Sequence, residues 1–313
     1  ERLRKTVGDA LGVPGEQLVF GNGASELFMA AVHAIRPKKT VIPVPSFAGY
    51  EYAAGAAGGR ILFYEMKAAS GFRLQEDFFS VLTADVDLLF LANPNNPTGV
   101  LTDTAFLTAV LEHCRKREIF VILDECFLSF CEKGHSMLRA VERFENLILV
   151  SAFTKIFAIP GVRLGYLVCG NKALTGRIER QLPEWNLSVF AQEAGCACAG
   201  LQDFIDRTAD YVRRERRFLE KELARLGLTV FPGQAGFILF YSGLPLYGAL
   251  LKRGILIRDC ENFRGLGKGY YRIAVKTEEE NRLFLRALGE TVENSGREEK
   301  TDGRKQRPSS GGN

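Results

Sequence analysis

The feature of this sequence that most constrains its fold is a repeated alternation of short apolar runs with longer segments of helical periodicity. The strand-like runs are Thr40–Pro43, Arg60–Tyr64, Asp87–Leu91, Ile119–Leu123, Leu147–Ser151 and Leu164–Cys169. Runs that are apolar on both faces are typical of parallel strands covered by helices on both sides. Helical spacing at Glu26–Ile35, Asp103–Lys116 and Ser136–Phe144 supplies such helices. The pattern therefore predicts an α/β fold whose large domain has a mostly parallel central sheet flanked by helices.

The second half of the chain has a different pattern. A long helical stretch, interrupted by glycines, runs from Asn186 to about Leu226 and leads into shorter elements. The expected strands are Thr229–Phe231, Phe237–Tyr241, Ile255–Ile257 and Tyr271–Val275, and the expected helices are Leu246–Arg253 and Glu278–Thr291. We therefore expect a large domain over residues 1–200, a small α+β C-terminal domain over 201–292, and a disordered tail over 293–313, which has no aromatic residues.

Composition and charge exclude several classes of protein. The 313 residues are 46% hydrophobic and 25% charged, which suits a globular protein with a buried core. A net charge of +4 from 41 basic and 37 acidic residues is too balanced to favour nucleic-acid binding, and no apolar run predicts a membrane helix or signal peptide. The seven cysteines are read as reduced thiols, and with only three histidines a metal site is not expected. We expect a soluble, cytoplasmic protein.

Several polar residues follow the buried runs, at the strand ends where open α/β sheets bind ligands. Lys155 comes after the run Leu147–Ser151, beside Thr154, and Arg163 lies in the same loop. An amine in a partly desolvated pocket is a usable Schiff-base nucleophile and proton carrier, and a guanidinium can bind a phosphate by two bonds. A solvated lysine is the alternative for Lys155 taken alone, but its two neighbours favour a binding pocket.

Three further segments carry similar indications. Asp124 ends the run Ile119–Leu123, where a carboxylate could bind a protonated heterocyclic nitrogen, although a helix cap or a buried ion pair would explain it equally well. The segment Asn93–Gly99 has the composition of a turn, yet its prolines would hold the amide of Asn96 rigidly. The small residues of Gly21–Glu26 open a helix, which is typical of a phosphate nest.

Together these segments resemble the fold-type I pyridoxal-phosphate enzymes, in the branch of histidinol-phosphate aminotransferase and threonine-phosphate decarboxylase. The Asn-Pro-Thr-Gly block that starts at Asn96, the aspartate at 124 and the block from Lys155 to Arg163 come in the family's order. The resemblance covers nearly all of residues 1–292. It implies an enzyme with pyridoxal 5′-phosphate as its cofactor, a small phosphorylated amino acid or amine as its substrate, and a homodimeric assembly.

The resemblance also implies roles for individual residues. Lys155 corresponds to the lysine that bonds the cofactor, and Asp124 to the partner of its pyridine nitrogen. The other implied cofactor contacts are the phenolic oxygen for Asn96, the ring face for Phe47, and the phosphate for Ala24, Ser25, Thr154 and Arg163. Arg272 resembles the arginine that binds the substrate carboxylate, and Arg258 resembles one that binds a phosphate-bearing substrate. Surface salt bridges are the alternative for these two arginines.

The chain departs from the family pattern at three places. Phe127 stands where the family often has a tyrosine that donates to a cofactor oxygen. Ala152 stands where serine or threonine is common, which leaves Ser151 as a candidate replacement in the phosphate site. Family members also begin earlier, with an arm over the substrate and a tyrosine that reaches the cofactor phosphate of the second subunit. We therefore expect this chain to be a fragment.

The resemblance leaves the reaction open, because the Cα bond held perpendicular to the cofactor ring is the one that breaks. The segments around Lys155, Trp185 and Arg258, together with Phe47 and Phe127, look more like the threonine-phosphate decarboxylase of cobalamin biosynthesis. We therefore expect decarboxylation of L-threonine O-3-phosphate to aminopropanol phosphate. Transamination of histidinol phosphate or a related amino acid is the alternative. A hypothesis from another class is a truncated, non-catalytic protein that keeps the cofactor fold.

Overall fold

Two β-sheets organise the computed structural model of this chain, which describes residues 1–132 and 135–305, with side chains up to residue 294. The larger sheet contains β1 (Leu18–Gly21), β2 (Lys39–Val44), β3 (Arg60–Glu65), β4 (Leu88–Ala92), β5 (Phe120–Asp124), β6 (Leu147–Ala152) and β7 (Gly165–Cys169). Its strand order is β1-β7-β6-β5-β4-β2-β3. Strands β2 to β6 pair in parallel, and β7 is antiparallel to β6 and β1, so β1 points the same way as the parallel strands. The predicted mostly parallel sheet is confirmed.

Helices cover both faces of this sheet. They are α1 (Arg2–Leu11), α2 (Ala24–Ile35), α3 (Ala48–Ala56), α4 (Thr104–Lys116), α5 (Phe153–Ile156), α6 (Lys172–Glu179) and α7 (Val189–Cys198), with 3-10 turns at Gly15–Gln17, Ala68–Ser70, Glu76–Val81, Leu128–Phe130, Met137–Glu142 and Pro160–Val162. Successive strand residues point to opposite faces, so Leu89 and Leu91 pack in one core layer and Leu88 and Phe90 in the other. Burial on both faces explains the continuous apolar runs.

The structure corrects parts of the expectation for this half. The run Leu164–Cys169 contains an antiparallel strand, and β3 lies at the sheet edge, half-buried rather than buried on both faces. The segment Ser136–Phe144 forms a 3-10 turn instead of a covering helix. The buried carboxylate of Glu125 binds the start of this turn, accepting hydrogen bonds from the Ser136 hydroxyl and the Met137 N–H. Strand β1 and helices α3 and α6 were not expected.

The smaller sheet follows in the chain. Its elements are α8 (Gln202–Arg225), β8 (Thr229–Phe231), β9 (Phe237–Tyr241), α9 (Leu246–Leu251), β10 (Arg258–Asp259), β11 (Tyr270–Ala274) and α10 (Glu278–Lys305). The strands pair antiparallel in the order β10-β11-β9-β8, and the helices pack on one face through residues such as Leu219, Leu250 and Leu288. The two sheets lie on either side of residue 200 in the chain, and the exact division into domains 1–200 and 201–292 stays a prediction.

Two expectations for this half were wrong in detail, and a third was right. The strand expected at Ile255–Ile257 lies immediately after it, at β10. Ile257 packs in the core of the small sheet, and the polar residues Arg258 and Asp259 pair with β11. The expected interruption of the long helical stretch by a glycine is confirmed, because α7 and α8 are separated at Gly200, which adopts a φ of 84°, a conformation that glycine reaches without strain. Helix α10 continues to Lys305 because glutamate, lysine and arginine are good helix formers, so residues 293–305 are helical. Residues 306–313 lie outside the described residues.

A backbone contact fixes the small sheet against the large one. Gly233, between β8 and β9, touches Gly99 so closely that a Cβ on Gly233 would lie 2.8 Å from the Gly99 backbone. The Gln234 N–H donates to the Gly99 carbonyl at 2.7 Å, and Arg216 of α8 donates to the Gln234 carbonyl at 2.9 Å. An apolar cluster strengthens this contact and contains Met66, Phe72, Phe231, Leu239 and Cys260. The loop after β4 is therefore shared by both sheets.

Among the described residues, no helix combines the length and apolar character that crossing a membrane requires. Within those residues, no group of three histidine, cysteine, aspartate or glutamate side chains is arranged to hold a metal ion. The seven cysteines are free in the described structure.

Candidate active site

A cavity of about 660 Å³ lies at the carboxyl ends of the parallel strands, between the two sheets. Loops after β1, β2, β4, β5 and β6 line it from one side, and β10, β11 and the loop between them line it from the other. This is where open α/β sheets bind ligands. The cavity is lined by every candidate residue from the sequence: Ala24, Ser25, Phe47, Asn96, Asp124, Thr154, Lys155, Arg163, Arg258 and Arg272. Their individual roles remain predictions.

Asp124 ends β5 and is only 9% exposed. Its Oδ1 accepts a hydrogen bond from the Cys126 N–H at 2.8 Å, and its Oδ2 accepts one from the Tyr50 hydroxyl at 2.6 Å. Burial raises the pKa of the Asp124 carboxyl above its usual value, and the bonds from Cys126 and Tyr50 and the charge of Lys155 offset part of this rise. These donors support an anionic oxygen pair at the cavity wall, which suits a protonated heterocyclic nitrogen.

Lys155 lies in the short helix α5, which begins immediately after the end of β6. Its side chain is exposed toward the cavity, and its Nζ lies 5.7 Å from the centroid of the Phe127 ring. Phe127 brings a ring without a hydroxyl to this place, as the sequence indicated. The amine is therefore accessible to a carbonyl group of a bound ligand.

The start of α2 forms a cup for an anion. Gly23 has φ 78° and ψ 176°, and a Cβ on it would lie 2.8 Å from Nη2 of Arg163. The Arg163 guanidinium donates to the Asn22 carbonyl at 3.3 Å and to the Pro160 carbonyl at 3.1 Å, so it is held against the helix start. The first turn of a helix presents free N–H groups and the positive end of its dipole. This helix start and the guanidinium together suit a phosphate.

Three residues before Lys155 differ in whether they bring a hydroxyl group to the anion cup at the start of α2. Thr154 is buried and lines the cavity, whereas Ser151 is buried and does not line it. Ala152 lines the cavity without a hydroxyl. The structure therefore does not support Ser151 as a replacement for the hydroxyl that the family often has at position 152.

In the asparagine-rich block after β4, two side chains hydrogen-bond the neighbouring backbone and one faces the cavity. The Asn93 side chain accepts from the Thr102 N–H at 2.7 Å, and the Asn95 side chain donates to the Pro45 carbonyl at 3.0 Å. Only Asn96 of the three faces the cavity, where its Oδ1 accepts a hydrogen bond from Arg272. Hydrogen bonds of the neighbouring asparagines hold this segment in place, a contribution that the sequence analysis did not include, and Arg272 is a partner of Asn96 that the sequence did not indicate.

Arg258 and Arg272 lie directly opposite each other in the antiparallel register of β10 and β11. The Arg258 guanidinium donates to the Asn262 side chain at 2.7 Å, and that of Arg272 lies 4.9 Å from the centroid of the Phe237 ring. Burial lowers the pKa of the Arg272 guanidinium, and the charge of Arg258 lowers it further. Among the described residues neither arginine forms a salt bridge, so two cationic groups converge on the cavity without a carboxylate partner.

Sequence reasoning missed three residues at this site. Tyr50, one turn after Phe47 on α3, lies behind Asp124. Glu51 forms a two-bond ion pair with Arg264 of the loop between β10 and β11, and the Arg264 guanidinium lies 4.2 Å from the centroid of the Phe63 ring. This pair joins the two sides of the cavity. The signal for Tyr50 and Glu51 was their helical spacing from Phe47, which points to the same cavity wall.

Comparison with known proteins places this geometry in a family. The model of the family "Aminotransferase class I and II" matches residues 2–288. The threonine-phosphate decarboxylase of Salmonella typhimurium is 34% identical over 280 residues, which are 88% of this chain and 77% of that protein. The histidinol-phosphate aminotransferase of Symbiobacterium thermophilum is 32% identical over 293 residues, which are 92% of this chain and 79% of that protein.

A solved structure gives the same result for the fold. The histidinol-phosphate aminotransferase from Clostridium acetobutylicum superposes with a TM-score of 0.87 at 31% identity, covering 94% of this chain and 89% of that one. These relatives include a decarboxylase and two aminotransferases, and each of the three is matched over more than three quarters of its length. The chain belongs to the class I and II aminotransferase family and is a pyridoxal-phosphate-dependent enzyme, either a decarboxylase or an aminotransferase.

Proposed function

We propose that this protein decarboxylates L-threonine O-3-phosphate to aminopropanol phosphate, the reaction expected in cobalamin biosynthesis. The observation that carries the proposal is the pair of arginines at 258 and 272, opposed in register and without carboxylate partners in the described structure. Like charges directly opposite each other on paired strands repel. A substrate with two anionic groups relieves this repulsion, and threonine phosphate carries both a carboxylate and a phosphate. Arginine binds either group through two parallel hydrogen bonds.

Transamination of histidinol phosphate is the second candidate, favoured by the similarity to two proteins of that name. Histidinol phosphate carries a phosphate and no carboxylate, so it would leave one of the two arginines without an anionic partner. A dicarboxylic amino-group donor would satisfy both. Of the two phosphorylated compounds, only threonine phosphate would engage both arginines at once, but a transaminase with a dicarboxylic donor would use them as well, so the reaction type has to be measured.

The residues at the cavity fit pyridoxal phosphate. Gly23 leaves space that a Cβ would fill between the helix start and Arg163, which suits the phosphate of the cofactor. In our proposal Ala24, Ser25 and Thr154 complete that phosphate site. Asp124 would bind the pyridine nitrogen, Asn96 the phenolic oxygen and Phe47 the ring face, because they line the remaining wall.

The cofactor, when bound, supplies an electron sink for negative charge at the substrate Cα. Decarboxylation breaks the bond between Cα and the carboxylate carbon, releases that carbon as carbon dioxide, and requires a proton to be added at Cα. We assign this proton transfer to Lys155, whose amine lines the cavity within reach of a bound ligand. Arg272 would hold the carboxylate and Arg258 the phosphate, so the two arginines set the pose that selects which bond breaks.

A single-turnover reaction of the loaded enzyme with threonine phosphate tests the proposal. Release of carbon dioxide with the cofactor kept as aldehyde supports the decarboxylase. Conversion of the cofactor to its amine form without carbon dioxide would replace it by the aminotransferase. The variant Lys155→Ala is expected to fold, with an unchanged thermal midpoint, and to lose both reactions.

A matched pair of arginine variants tests the substrate assignment. Arg258→Gln is expected to weaken binding of threonine phosphate by about 10-fold or more, since a hydrogen bond to a charged group contributes about 1.5–3 kcal/mol. Its effect on threonine, which lacks the phosphate, should be small. Arg253→Gln serves as the control, because Arg253 pairs with Glu290 away from the cavity. Equal losses for the two substrates would contradict the role of Arg258.

We also propose a homodimer. Trp185, Val189 and Phe190 are 94%, 70% and 83% exposed, which is unusual for a cluster of large apolar side chains. Asn186 beside them donates to Glu26 at 3.1 Å, and Glu26 binds the Asn22 N–H in the anion cup. This surface is therefore connected to the phosphate site. Light scattering of the wild type and of Phe190→Ser would test the assembly, with a monomeric wild type as the contrary result. The cytoplasmic location stays a prediction.

A further inference from the structure

Tyr50 contacts the carboxylate that the proposed mechanism relies on, yet neither the sequence motifs nor the comparisons give it a role. Its hydroxyl donates to Oδ2 of Asp124 at 2.6 Å, while the Cys126 N–H occupies Oδ1 at 2.8 Å. Tyr50 is 1% exposed, so water does not compete for this bond. Each carboxylate oxygen thus has one fixed protein donor, and its other acceptor positions are left for the cavity.

The ring of Tyr50 has little freedom to move its hydroxyl elsewhere. It stacks on Phe90 with ring centroids 5.0 Å apart and an interplanar angle of 16°, and it meets Phe28 and Phe47 edge-on at 5.2 Å and 5.6 Å. Its N–H also donates to the Phe47 carbonyl at 3.1 Å in the first turn of α3. The same turn therefore carries the side chain proposed to stack on the cofactor and the side chain that holds Asp124.

The groups around Asp124 keep the Tyr50 phenol neutral and offset part of the effect of burial on the carboxylate. The titratable groups that face Asp124 are Tyr50 from α3, Lys155 from α5, and Cys126 and Glu125 from its own segment. Burial raises the pKa of Tyr50 well above its usual range, and the charge of Asp124 raises it further, so the phenol stays protonated. A hydrogen bond to the charged form of Asp124 opposes the effect of its burial.

We propose that Tyr50 is a positioning residue, which fixes the orientation of the Asp124 carboxylate toward the nitrogen of the cofactor ring. The assignment rests on the role proposed above for Asp124. A hydroxyl aimed at Oδ2 and an N–H aimed at Oδ1 prevent rotation of the carboxylate about its Cβ–Cγ bond. Tyr50 acts only through Asp124, since Asp124 lines the cavity and Tyr50 does not.

The test is the variant Tyr50→Phe, which keeps the ring and removes the donor. In the cofactor-free protein, labelled-aspartate NMR should show a higher pKa for the Asp124 carboxyl. The dissociation constant for pyridoxal phosphate should rise about tenfold, the effect of losing a hydrogen bond to a charged group. As the pH is lowered, the affinity for pyridoxal phosphate should begin to fall at a higher pH than in the wild type, because Asp124 takes up its proton earlier. Glu125 is present in both proteins, so it does not account for a difference between the profiles.

Tyr64→Phe is the matched control, because the Tyr64 hydroxyl also donates to an aspartate, Asp77, but lies outside the cavity. It should leave the affinity for pyridoxal phosphate unchanged. If Tyr50→Phe does not fold, fluorotyrosine at position 50 keeps the hydroxyl as a stronger donor and should lower the pKa of Asp124. An unchanged pKa in either variant would overturn the proposal.

A double-mutant cycle with Asp124→Asn separates positioning from packing. If Tyr50 acts through Asp124, then Tyr50→Phe should change cofactor affinity less than twofold in the Asp124→Asn background. The same tenfold loss in both backgrounds would show a packing role and refute the inference. If Asp124→Asn itself leaves affinity and its pH profile unchanged, the proposed role of Asp124 fails instead, so the two failures are distinguishable.

Discussion

Replacing Gly23 by alanine should weaken cofactor binding in addition to destabilising the fold. Gly23 has φ 78° and ψ 176°, a region of backbone conformation that is almost restricted to glycine. A side chain there costs about 1–3 kcal/mol of folding free energy. The new Cβ would also lie 2.8 Å from Nη2 of Arg163, so the guanidinium has to leave its position at the start of α2.

The magnitude follows from the contact that is lost. A hydrogen bond between charged groups contributes about 1.5–3 kcal/mol, and the displaced Arg163 faces the proposed phosphate site. Since about 1.4 kcal/mol corresponds to a tenfold change in an equilibrium constant, Gly23→Ala should weaken binding of pyridoxal phosphate by about 10- to 100-fold. Inorganic phosphate, which has no ring to bind elsewhere, should be affected to a similar extent.

The assay is a titration of cofactor-free protein, followed by the absorbance of the bound cofactor, alongside a denaturation curve for each variant. Gly58→Ala is the control, since Gly58 also has a positive φ of 76° but no atom lies within 4 Å of the added Cβ. It should lose stability and keep its affinity. Equal cofactor affinities for Gly23→Ala and Gly58→Ala would refute the assignment of the anion cup.

Three further outcomes are expected. Burial raises the pKa of Glu125 to about 7 from a usual value of 4.5. Between these two values the folded state keeps a proton that the unfolded chain loses, so the stability of the protein falls as the pH rises. Glu125→Gln should therefore raise the thermal midpoint more at pH 8 than at pH 5. Gly233→Ala places a Cβ against the Gly99 backbone and should cost about 1–3 kcal/mol in denaturant unfolding, as overpacking does. Arg264→Gln breaks the exposed pair with Glu51 and should change the unfolding free energy by less than about 1 kcal/mol.

Burial on both faces is what made the central strands predictable. The runs that became β4, β5 and β6 are apolar throughout because helices cover both sides of them. Strand β10 lacks this signal, since it consists of Arg258 and Asp259, and the apolar residues before it drew the prediction to the wrong place. Pairing with β11 defines that strand, and pairing between distant segments leaves no local pattern in a sequence.

The candidate site shows the same division. Asn96, Asp124 and Lys155 each follow an apolar run of the large sheet, so their nearness to the cavity could be inferred from the direction of the parallel strands. Arg258 and Arg272 were predicted from the family resemblance alone. The contacts between these residues could not be inferred from the sequence. Tyr50 reads as an ordinary core aromatic, and its bond to Asp124 joins residues 74 positions apart. The bond from Arg272 to Asn96 spans 176 positions and depends on how the small sheet docks.

The opposed arginines of β10 and β11 also connect the stability of this protein to the supply of its ligands. Folding brings Arg258 and Arg272 into register against their mutual repulsion, and a dianion that binds both arginines removes this repulsion and so stabilises the folded state. A ligand at 100 times its dissociation constant adds about 2.7 kcal/mol to the unfolding free energy. The resistance of the enzyme to heat and proteases would then rise and fall with the concentration of its substrate, so that scarcity of substrate shortens the lifetime of the protein itself.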